Sequence, residues 1–266
     1  MTNVIRNDRS VHDARQCLPH CDSLTLQRSL LLMQIDDKAD ATPVRKTTLI
    51  LVRHGETEAN VQQRWYGAMD APLTERGRRQ VAATATAVAD INRCLPIDVF
   101  YVSPLPRAQT TAGAIADAIH MRPQIENGLR EFDLGDWEGR TFKDLHTSED
   151  LWGRWEADPT FAPPNGESPA SFSKRVEQAV QSLVSRHPGQ TILIVSHGAL
   201  IGNILTRWLG DSPEDWRRWD PPNCSITIVQ KPNATPGAEW TPVQVNDVSH
   251  LPEDIQTGGK AEETPT

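Results

Sequence analysis

Two histidines and two arginines stand just after three apolar runs of the sequence. Arg53 and His54 directly follow the run TTLILV, and His197 follows the run TILIV after one serine. Arg107 follows the run IDVFYV after the turn SPLP. Polar groups at the end of a buried strand are costly unless something pairs with them. Their repetition at three such ends predicts a ligand site.

The four residue types together suit phosphate chemistry. Guanidinium groups offer fork-shaped pairs of donors to a phosphate dianion. Arg107 follows Pro106, so it is expected in the first turn of a helix, where a cation opposes the helix dipole and an anion would relieve the conflict. A neutral imidazole is a good nucleophile near pH 7, so His54 could attack phosphorus while the other three groups neutralise its oxygens.

Departure of an alkoxide from phosphorus also requires a proton donor. The segment LREFDLGDWEG at 129–139 offers four carboxyl groups, those of Glu131, Asp133, Asp136 and Glu138. A carboxyl group beside a phosphate has its pKa raised by like-charge repulsion, which suits a donor. The residue pattern alone does not choose among the four, and the segment could also be a solvated acidic loop.

The apolar runs predict the strands that must position these groups. Runs 47–52, 97–102 and 191–195 are β-branched and unbroken, as is typical of parallel strands buried on both faces. Runs 225–230 and 241–245 are weaker and predict strands towards an edge. Parallel strands place their carboxyl ends at one edge of the sheet, where ligands bind in open α/β sheets.

Helical patterns alternate with the strands. Thr74 and Ser168 are suited to N-caps, and Gly210 to a C-cap. The predicted helices are about 75–90, 106–120, 168–187 and 199–210. The alternation predicts an α/β fold, a three-layer α/β/α sandwich around a mainly parallel sheet.

Composition sets the wider limits. The chain has 266 residues, a net charge of −8 and 38% hydrophobic residues, which fits one globular domain with tails. The acidic balance argues against a nucleic-acid partner, and no apolar run is long enough to span a membrane. We expect a polar extension at 1–46, helical in part near 23–35, then a domain at 47–250 and a disordered tail at 251–266.

The cysteines predict neither a disulfide framework nor a metal site. Cys17 and Cys21, with His20 between them, could form half of a metal site, but no second pair completes a tetrahedral set. We therefore interpret their spacing as chance and expect no metal. Irregular cysteine spacing and the lack of a secretory signal favour a reduced, cytoplasmic protein.

At these residues the sequence resembles the histidine phosphatase superfamily, also called phosphoglycerate mutase-like. The resemblance covers about residues 47 to 250. It is carried, in the order typical of the family, by LVRHGETEAN, DAPLTERGRRQ, SPLPRAQTTA, LREFDLGDWEG, PNGESPASFSKRV and VSHGAL. LGDWEG is similar to the branch of broad-specificity, alpha-ribazole and phosphoserine phosphatases.

The resemblance implies a role for each core residue. His54 corresponds to the nucleophile that becomes phosphohistidine. Arg53 and Arg107 correspond to the phosphate clamp, and His197 completes the pocket. Glu131 matches the proton donor of the family, which selects one of the four carboxyl groups. These five residues form the expected catalytic set.

Three further positions are expected to bind substrate. Asn60 matches a side chain that touches phosphate, and the backbone of Gly198 is expected close to it. Tyr66 stands in RWYGAMD, where some relatives have a polar amide, so it is expected to affect substrate choice. The family uses no metal, and the resemblance implies no other cofactor.

The resemblance leaves two activities open. A phosphatase releases phosphate to water, whereas a phosphoglycerate mutase returns the phosphoryl group to its substrate. A mutase needs cations for a substrate carboxylate, and the expected lid at 140–165 offers Arg140, Lys143, His146 and Arg154. We expect a metal-independent phosphatase of small phosphorylated metabolites, with the mutase as the alternative and a non-catalytic phosphate binder as a third class. We also allow for a homodimer.

Six aromatic residues are expected near the pocket mouth. They could form an apolar wall for the leaving group or belong to the core of the lid. They are Trp65, Tyr66, Trp137, Trp152, Trp155 and Phe161. Trp152 and Trp155 lie three residues apart in an expected helix, which favours core for that pair.

Overall fold

The computed structural model describes residues 46–209, 219–233 and 238–257. The predicted extension at 1–46 lies outside the described residues except for Lys46. The predicted helix near 23–35 and the Cys17–Cys21 pair lie outside them as well, as does the predicted C-cap at Gly210.

The described residues form one six-stranded sheet with the strand order β3-β2-β4-β1-β5-β6. Strands β3, β2, β4 and β1 run parallel, and β5 and β6 are antiparallel to their neighbours. The strands are β1 Lys46–Arg53, β2 Val99–Val102, β3 Gln124–Ile125, β4 Thr191–Ser196, β5 Ile226–Pro232 and β6 Thr241–Asp247.

Seven α-helices connect these strands within the described residues. They are α1 Glu58–Val61, α2 Glu75–Cys94, α3 Pro106–Ile119, α4 Phe142–Glu149, α5 Leu151–Ala157, α6 Pro169–Arg186 and α7 Gly198–Trp208. Thr74 and Ser168 cap α2 and α6 as predicted, each accepting a hydrogen bond from the backbone three residues on. Helix α2 runs past its predicted end because buried Ile91 continues its apolar stripe.

The alternation of strand side chains produces the layers. Leu49 and Leu51 belong to one buried cluster with residues of α6 and α7, whereas Ile50 and Val52 point to the opposite face. Helix α2 packs on α3 and helix α6 packs on α7. The three-layer α/β/α sandwich with a mainly parallel sheet is therefore confirmed.

The two weaker strands lie towards one edge of the sheet, as predicted. β6 is the edge strand, and β5 lies between it and β1. Strand β3 was not expected, because its two residues are exposed and carry no apolar run. In β5 the first five residues are buried, which its interior position explains.

The prediction of a disordered tail from residue 251 is wrong for residues 251–257. Leu251 and Ile255 are buried against Leu73 and Val81. The Ile255 carbonyl also accepts a hydrogen bond of 2.8 Å from the side chain of Gln80. Two apolar residues in a polar stretch are therefore enough to anchor the segment.

No helix in the described ranges is both long and apolar enough to cross a membrane.

Candidate functional site

The ends of β1, β4 and β2 meet at one edge of the sheet. Arg53 at the end of β1 is paired with Ser196 at the end of β4, and Val102 of β2 is paired with Val195 of β4. The residues that follow each strand lie at the same edge of the sheet, because neighbouring parallel strands in register end at the same level. The residues that follow these ends therefore form one cluster.

His54 is buried at this edge, with 4% of its surface exposed. Its Nδ1 lies 2.8 Å from the carbonyl oxygen of Gly55. A carbonyl oxygen can only accept, so Nδ1 carries the proton and Nε2 carries the lone pair. Burial, helped by the charges of Arg107 and Arg53, holds the pKa of His54 well below its ordinary value. His54 is therefore neutral near pH 7.

His197 lies beside His54, with 5.2 Å between the ring centroids and an angle of 62° between the ring planes. Its side chain is fully buried, and its Nε2 lies 2.7 Å from Ser103 Oγ. Among the described residues its Nδ1 has no hydrogen-bond partner. Burial, followed by the charges of Arg107 and His54, holds the pKa of His197 well below its ordinary value.

Arg53 is held on one side of its guanidinium group. Nη1 donates to Asp220 Oδ1 at 3.3 Å and to the carbonyl oxygen of Pro221. Its Nε is buried and has no partner among the described residues. A buried donor without a partner is costly, so Nε is available to donate a hydrogen bond to an anion at this edge. Burial raises the pKa of Asp220, and the charge of Arg53 opposes that rise.

Arg107 enters from the first turn of α3, with 4% of its surface exposed. It donates to the carbonyl oxygens of Met69 (2.8 Å), Tyr66 (2.8 Å) and Gly67 (2.9 Å). These three bonds leave two of the five N–H donors of a guanidinium group. The cation at the helix start is thus partly paired by backbone carbonyls, and an anion would complete the pairing.

Glu138 binds backbone N–H groups of the loop at 66–69, whose carbonyl oxygens accept from Arg107. Its carboxylate accepts hydrogen bonds of 2.7 Å from the backbone of Ala68 and of Met69. The contact is close, since a β-carbon on Gly67 would lie 2.5 Å from Glu138 Oε1 and 1.9 Å from the carbonyl oxygen of Phe132. Burial raises the pKa of Glu138, and the hydrogen bonds to Met69 and Ala68 oppose the rise. Glu138 therefore organises the loop that Arg107 binds.

The side chain of Glu131 lies against the N-terminus of α7, close enough to both arginines for their charges to affect its pKa. Its Oε1 accepts from the backbone N–H of Phe132 at 2.9 Å, and its Oε2 accepts from that of Ala199 at 3.1 Å. Burial raises the pKa of Glu131, while these two hydrogen bonds and the charges of Arg107 and Arg53 lower it. The net shift is upward, as a proton donor requires.

The other acidic residues of that segment have different partners. Asp133 accepts a hydrogen bond of 2.8 Å from the backbone of Gly135. Asp136 is exposed and binds the amide of Asn165 at 3.1 Å. Together with the loop contacts of Glu138, these bonds leave Glu131 as the member of the segment that bonds the N-terminus of α7.

Asn60 is oriented by a capping box at the start of α1. Its Oδ1 accepts from Thr57 N at 3.0 Å, from Thr57 Oγ1 at 2.9 Å and from Asn223 Nδ2 at 3.3 Å. Because three donors fix the amide oxygen, Nδ2 remains as the donor that Asn60 can offer a ligand. Asn223 also donates to the His54 carbonyl oxygen at 3.2 Å, which links the two residues.

Gly198 is the first residue of α7 and lies against Arg53. A β-carbon added there would be 3.1 Å from Asp220 Oδ1 and 3.2 Å from Arg53 Cζ. These contacts are tighter than van der Waals packing allows, so the guanidinium group would have to move.

We expect Gly198→Ala to lower kcat/KM roughly tenfold for phosphate esters, the substrates that the sequence predicts, because displacing a binding group by less than 1 Å weakens its alignment. The control is Gly113→Ala in α3, where an added β-carbon meets nothing within 4 Å. That change should leave the rate unaltered and raise the free energy of unfolding by about 0.5–1 kcal/mol. Steady-state kinetics and thermal unfolding of both variants check this, and equal rates in the two would contradict it.

The aromatic residues divide between core and rim. Trp65 and Trp155 are buried against Phe132, Trp65 edge-on and Trp155 stacked, and Trp152 packs partly buried against them. The expectation of lid core is thus confirmed for the Trp152–Trp155 pair. The role of Trp65 in a pocket wall is corrected, because its Nε1 donates to the Phe132 carbonyl oxygen at 3.0 Å inside the core.

The remaining three aromatic residues are half-buried. Trp137 and Phe161 contact each other with 6.1 Å between ring centroids. Tyr66 is half-buried in the loop that Arg107 holds. Of the six aromatic residues, Tyr66 is the one whose backbone carbonyl oxygen accepts a hydrogen bond from Arg107, which places it beside that arginine.

Four contributors to this site were missed by sequence reasoning. They are Ser103, Glu138 in its loop-binding role, Asp220 and Asn223. Ser103 had a signal, since it directly follows a buried strand. Asp220 and Asn223 had none, since they precede β5 in a turn-like stretch. Over the described residues, no group of three or more His, Cys, Asp or Glu side chains could hold a metal ion.

Comparison with known proteins shows which family the chain resembles. The family model described as "Histidine phosphatase superfamily (branch 1)" matches residues 49–247. A protein of Cronobacter sakazakii named "Probable phosphoglycerate mutase GpmB" is 37% identical over 206 residues, 76% of this chain and 93% of that protein.

Two solved structures are also similar. A phosphoserine phosphatase mutant from Entamoeba histolytica, in complex with phosphoserine, has a TM-score of 0.66 and 31% identity. The match covers 77% of this chain and 99% of that one. The alpha-ribazole phosphatase from Shigella flexneri has a TM-score of 0.64 and 31% identity, covering 75% and 96%.

Proposed function

The chain belongs to the histidine phosphatase superfamily, enzymes that act on phosphorylated substrates, and from that premise we propose that it is a phosphomonoesterase. It hydrolyses small phosphorylated metabolites through a phosphohistidine on His54 and needs no metal ion. The observation that carries this proposal is the hydrogen bond between His54 Nδ1 and the Gly55 carbonyl oxygen. That bond leaves the lone pair of a desolvated, neutral imidazole on Nε2.

In the first step His54 Nε2 attacks phosphorus, and the bond from phosphorus to the ester oxygen breaks. The carboxyl group of Glu131 gives its proton to the departing oxygen, so an alcohol leaves. Arg53 and Arg107 neutralise the charge on the phosphoryl oxygens, and the uncharged His197 completes the pocket around them. The Nδ2 donor of Asn60 and the backbone at Gly198 add to that contact.

In the second step water attacks phosphorus of the phosphohistidine. The Glu131 carboxylate accepts a proton from that water, and the bond between phosphorus and Nε2 breaks. Inorganic phosphate leaves, and both His54 and protonated Glu131 are restored. One carboxyl group thus serves as acid and then as base, as the reversal of proton flow requires.

The lid supports a hydrolase over a mutase. Arg140 is paired with Asp144 and with Glu149, at 2.7 Å each. Arg154 lies over the ring of Phe161, 5.1 Å from its centroid. Two of the four expected lid cations are therefore engaged within the protein, which disfavours binding of a substrate carboxylate.

The mutase stays the alternative because a similar protein carries the name "Probable phosphoglycerate mutase GpmB". Both reactions form the same phosphohistidine and differ in the acceptor of the phosphoryl group. A phosphatase uses water, and a mutase uses the substrate. The identity of the acceptor, and not the presence of the phosphoenzyme, therefore separates the two.

The deciding experiment follows the phosphoryl group in excess EDTA. Wild-type enzyme is given p-nitrophenyl phosphate and, separately, 3-phosphoglycerate, and free phosphate and phosphoglycerate isomers are measured together. We expect release of inorganic phosphate from p-nitrophenyl phosphate without added metal. Transfer between the two positions of phosphoglycerate, with no free phosphate, would overturn the phosphatase proposal in favour of the mutase. Loss of activity in EDTA that returns with metal would overturn metal independence.

We expect a pH optimum on the acidic side of neutrality for alkyl phosphates. His54 must be neutral, and its lowered pKa moves the acid limb well below the ordinary imidazole value of about 6.5. Glu131 must be protonated, and its raised pKa moves the basic limb above the ordinary carboxyl value of about 4.3. Values of kcat/KM from about pH 4 to about pH 9 test this. A rate that still rises above about pH 8 would contradict it.

A cytoplasmic location and a homodimer stay predictions. Cell fractionation and sedimentation analysis of the purified chain would test them.

A further inference from the structure

The two histidines of the site use different nitrogens to bond the protein. His54 bonds a carbonyl oxygen through Nδ1, and His197 bonds the hydroxyl of Ser103 through Nε2. A carbonyl accepts only, whereas a hydroxyl can donate or accept. Which nitrogen of neutral His197 carries the proton therefore depends on the other hydrogen-bond partners of the Ser103 hydroxyl.

Among the described residues the Ser103 hydroxyl has one further partner, and that partner is a donor. The backbone N–H of Leu105 points at Ser103 Oγ, with 3.3 Å between the heavy atoms. Ser103 is fully buried. Among the described residues His197 Nε2 is the remaining partner of the hydroxyl, so its single hydrogen has one acceptor to go to. Donation from Ser103 makes Nε2 the acceptor, and the proton of a neutral His197 then sits on Nδ1.

The opposite tautomer would leave one conflict that the Nδ1–H tautomer does not have. With the proton on Nε2, Ser103 Oγ would accept from two donors, as its two lone pairs allow, but its own hydrogen would have no acceptor among the described residues. A buried hydroxyl hydrogen without an acceptor is costly. With the proton on Nδ1, that hydrogen is accepted by Nε2. Nδ1 has no partner among the described residues in either tautomer, and only as N–H can it donate to an anion.

We propose that Ser103 is a positioning residue that fixes neutral His197 as the Nδ1–H tautomer, so that His197 donates a hydrogen bond to the phosphoryl group. The tautomer stands on the hydrogen-bond geometry alone, whereas the contact with phosphoryl rests on the proposed function. Both rings then carry hydrogen on Nδ1, but the two histidines have different roles. His54 keeps its lone pair for attack, and His197 offers a donor.

Nuclear magnetic resonance tests the tautomer directly in the wild-type chain. Two-bond ¹⁵N–¹H correlation spectra of ¹⁵N-histidine-labelled protein near pH 7 distinguish the nitrogen that carries hydrogen. The signals of His197 are assigned by their loss in His197→Gln. We expect a protonated Nδ1 and a bare Nε2, with the Nδ1–H resonance shifting when inorganic phosphate is added. A protonated Nε2 in the wild type would overturn the proposal, whatever the enzyme catalyses.

Ser103→Ala tests the role of the hydroxyl. We expect His197 to become a mixture of tautomers and kcat/KM to fall roughly 10- to 100-fold, as happens when a supporting partner of a site histidine is lost. Ser103→Thr keeps a hydroxyl and should restore the tautomer. Unchanged tautomer and rate in Ser103→Ala would overturn the proposal.

Ser196→Ala is the matched control. Ser196 is equally buried and precedes His197, but its Oγ donates to the Leu129 carbonyl oxygen at 2.9 Å. Its removal should lower the melting temperature without changing the His197 tautomer. If Ser196→Ala shifted the tautomer as much as Ser103→Ala does, a general loosening of the site would be the cause and the proposal would fail. A wild type with the expected tautomer but no turnover would instead contradict only the proposed function.

Discussion

Replacement of His54 by alanine should abolish turnover of every phosphate ester, with kcat/KM falling by about 10⁴-fold or more. The reason is that the lone pair on Nε2 is the nucleophile of the proposed mechanism. His197, 5.2 Å away between centroids, cannot replace it. Its Nε2 is bonded to Ser103, and its Nδ1 carries the proton in the inferred tautomer. No other imidazole contacts His54 among the described residues.

The fold should survive this change, so the loss can be read as chemistry. The backbone of His54 keeps its bonds, with N–H donating to Ser196 O and the carbonyl accepting from Cys224 N. The measurement is phosphate release together with mass spectrometry of enzyme quenched during turnover, which detects a phosphoryl group on the His54 peptide of the wild type.

The matched control is His120→Asn. His120 is exposed at the left-handed C-cap of α3, with φ of 54°, a conformation that asparagine accepts. This variant should keep wild-type rates. A His54→Ala enzyme that folds and retains near wild-type turnover would remove His54 from the mechanism.

Replacement of Glu131 by glutamine should slow alkyl phosphates about 10²–10⁴-fold and p-nitrophenyl phosphate much less. An alkoxide needs a proton as it departs, whereas a nitrophenolate is stable without one. The ratio between the two substrates is the informative quantity, because glutamine also changes packing. Both carboxylate oxygens of Glu131 accept a backbone N–H, and the amide NH2 of glutamine would face one of those donors.

Asp136→Asn separates this effect from a general change in the acidic segment. Asp136 lies in the same segment but is exposed and bonded to Asn165. The same exchange of carboxylate for amide there should leave both substrates unaffected. Rates are measured on an alkyl and an aryl phosphate with all three enzymes. Equal slowing of both substrates in Glu131→Gln would count against Glu131 as the proton donor.

Much of the architecture follows from local patterns that the sequence carries openly. The unbroken β-branched runs predict parallel strands, because only strands covered on both faces can bury every residue. Thr74 and Ser168 mark helix starts, because their hydroxyl groups pair with backbone N–H groups three residues on. With the strands parallel, the meeting of Arg53, His54 and His197 at one edge follows.

Other parts of the site depend on contacts between residues far apart in sequence. Asp220 lies 167 residues from Arg53, and Asn223 lies 163 residues from Asn60, in a segment with no strong pattern of its own. The loop at 66–69 is held by carbonyl bonds to Arg107 and N–H bonds to Glu138, which no spacing rule predicts. The same is true of the anchored residues 251–257, whose two apolar side chains find α2 only in the folded chain.

By itself the sequence determined which functional groups the protein carries: two imidazoles and two guanidinium groups that follow strands, and a separate acidic segment. The tertiary structure alone decided how each group is used. It buried the imidazoles so that they are neutral, and it gave His54 a carbonyl partner and His197 a hydroxyl partner. It also turned Glu131 towards α7 while Asp133 and Asp136 found other partners. The physical reason is that proton position and pKa depend on burial and on distant hydrogen-bond partners, whereas residue type and local propensity do not.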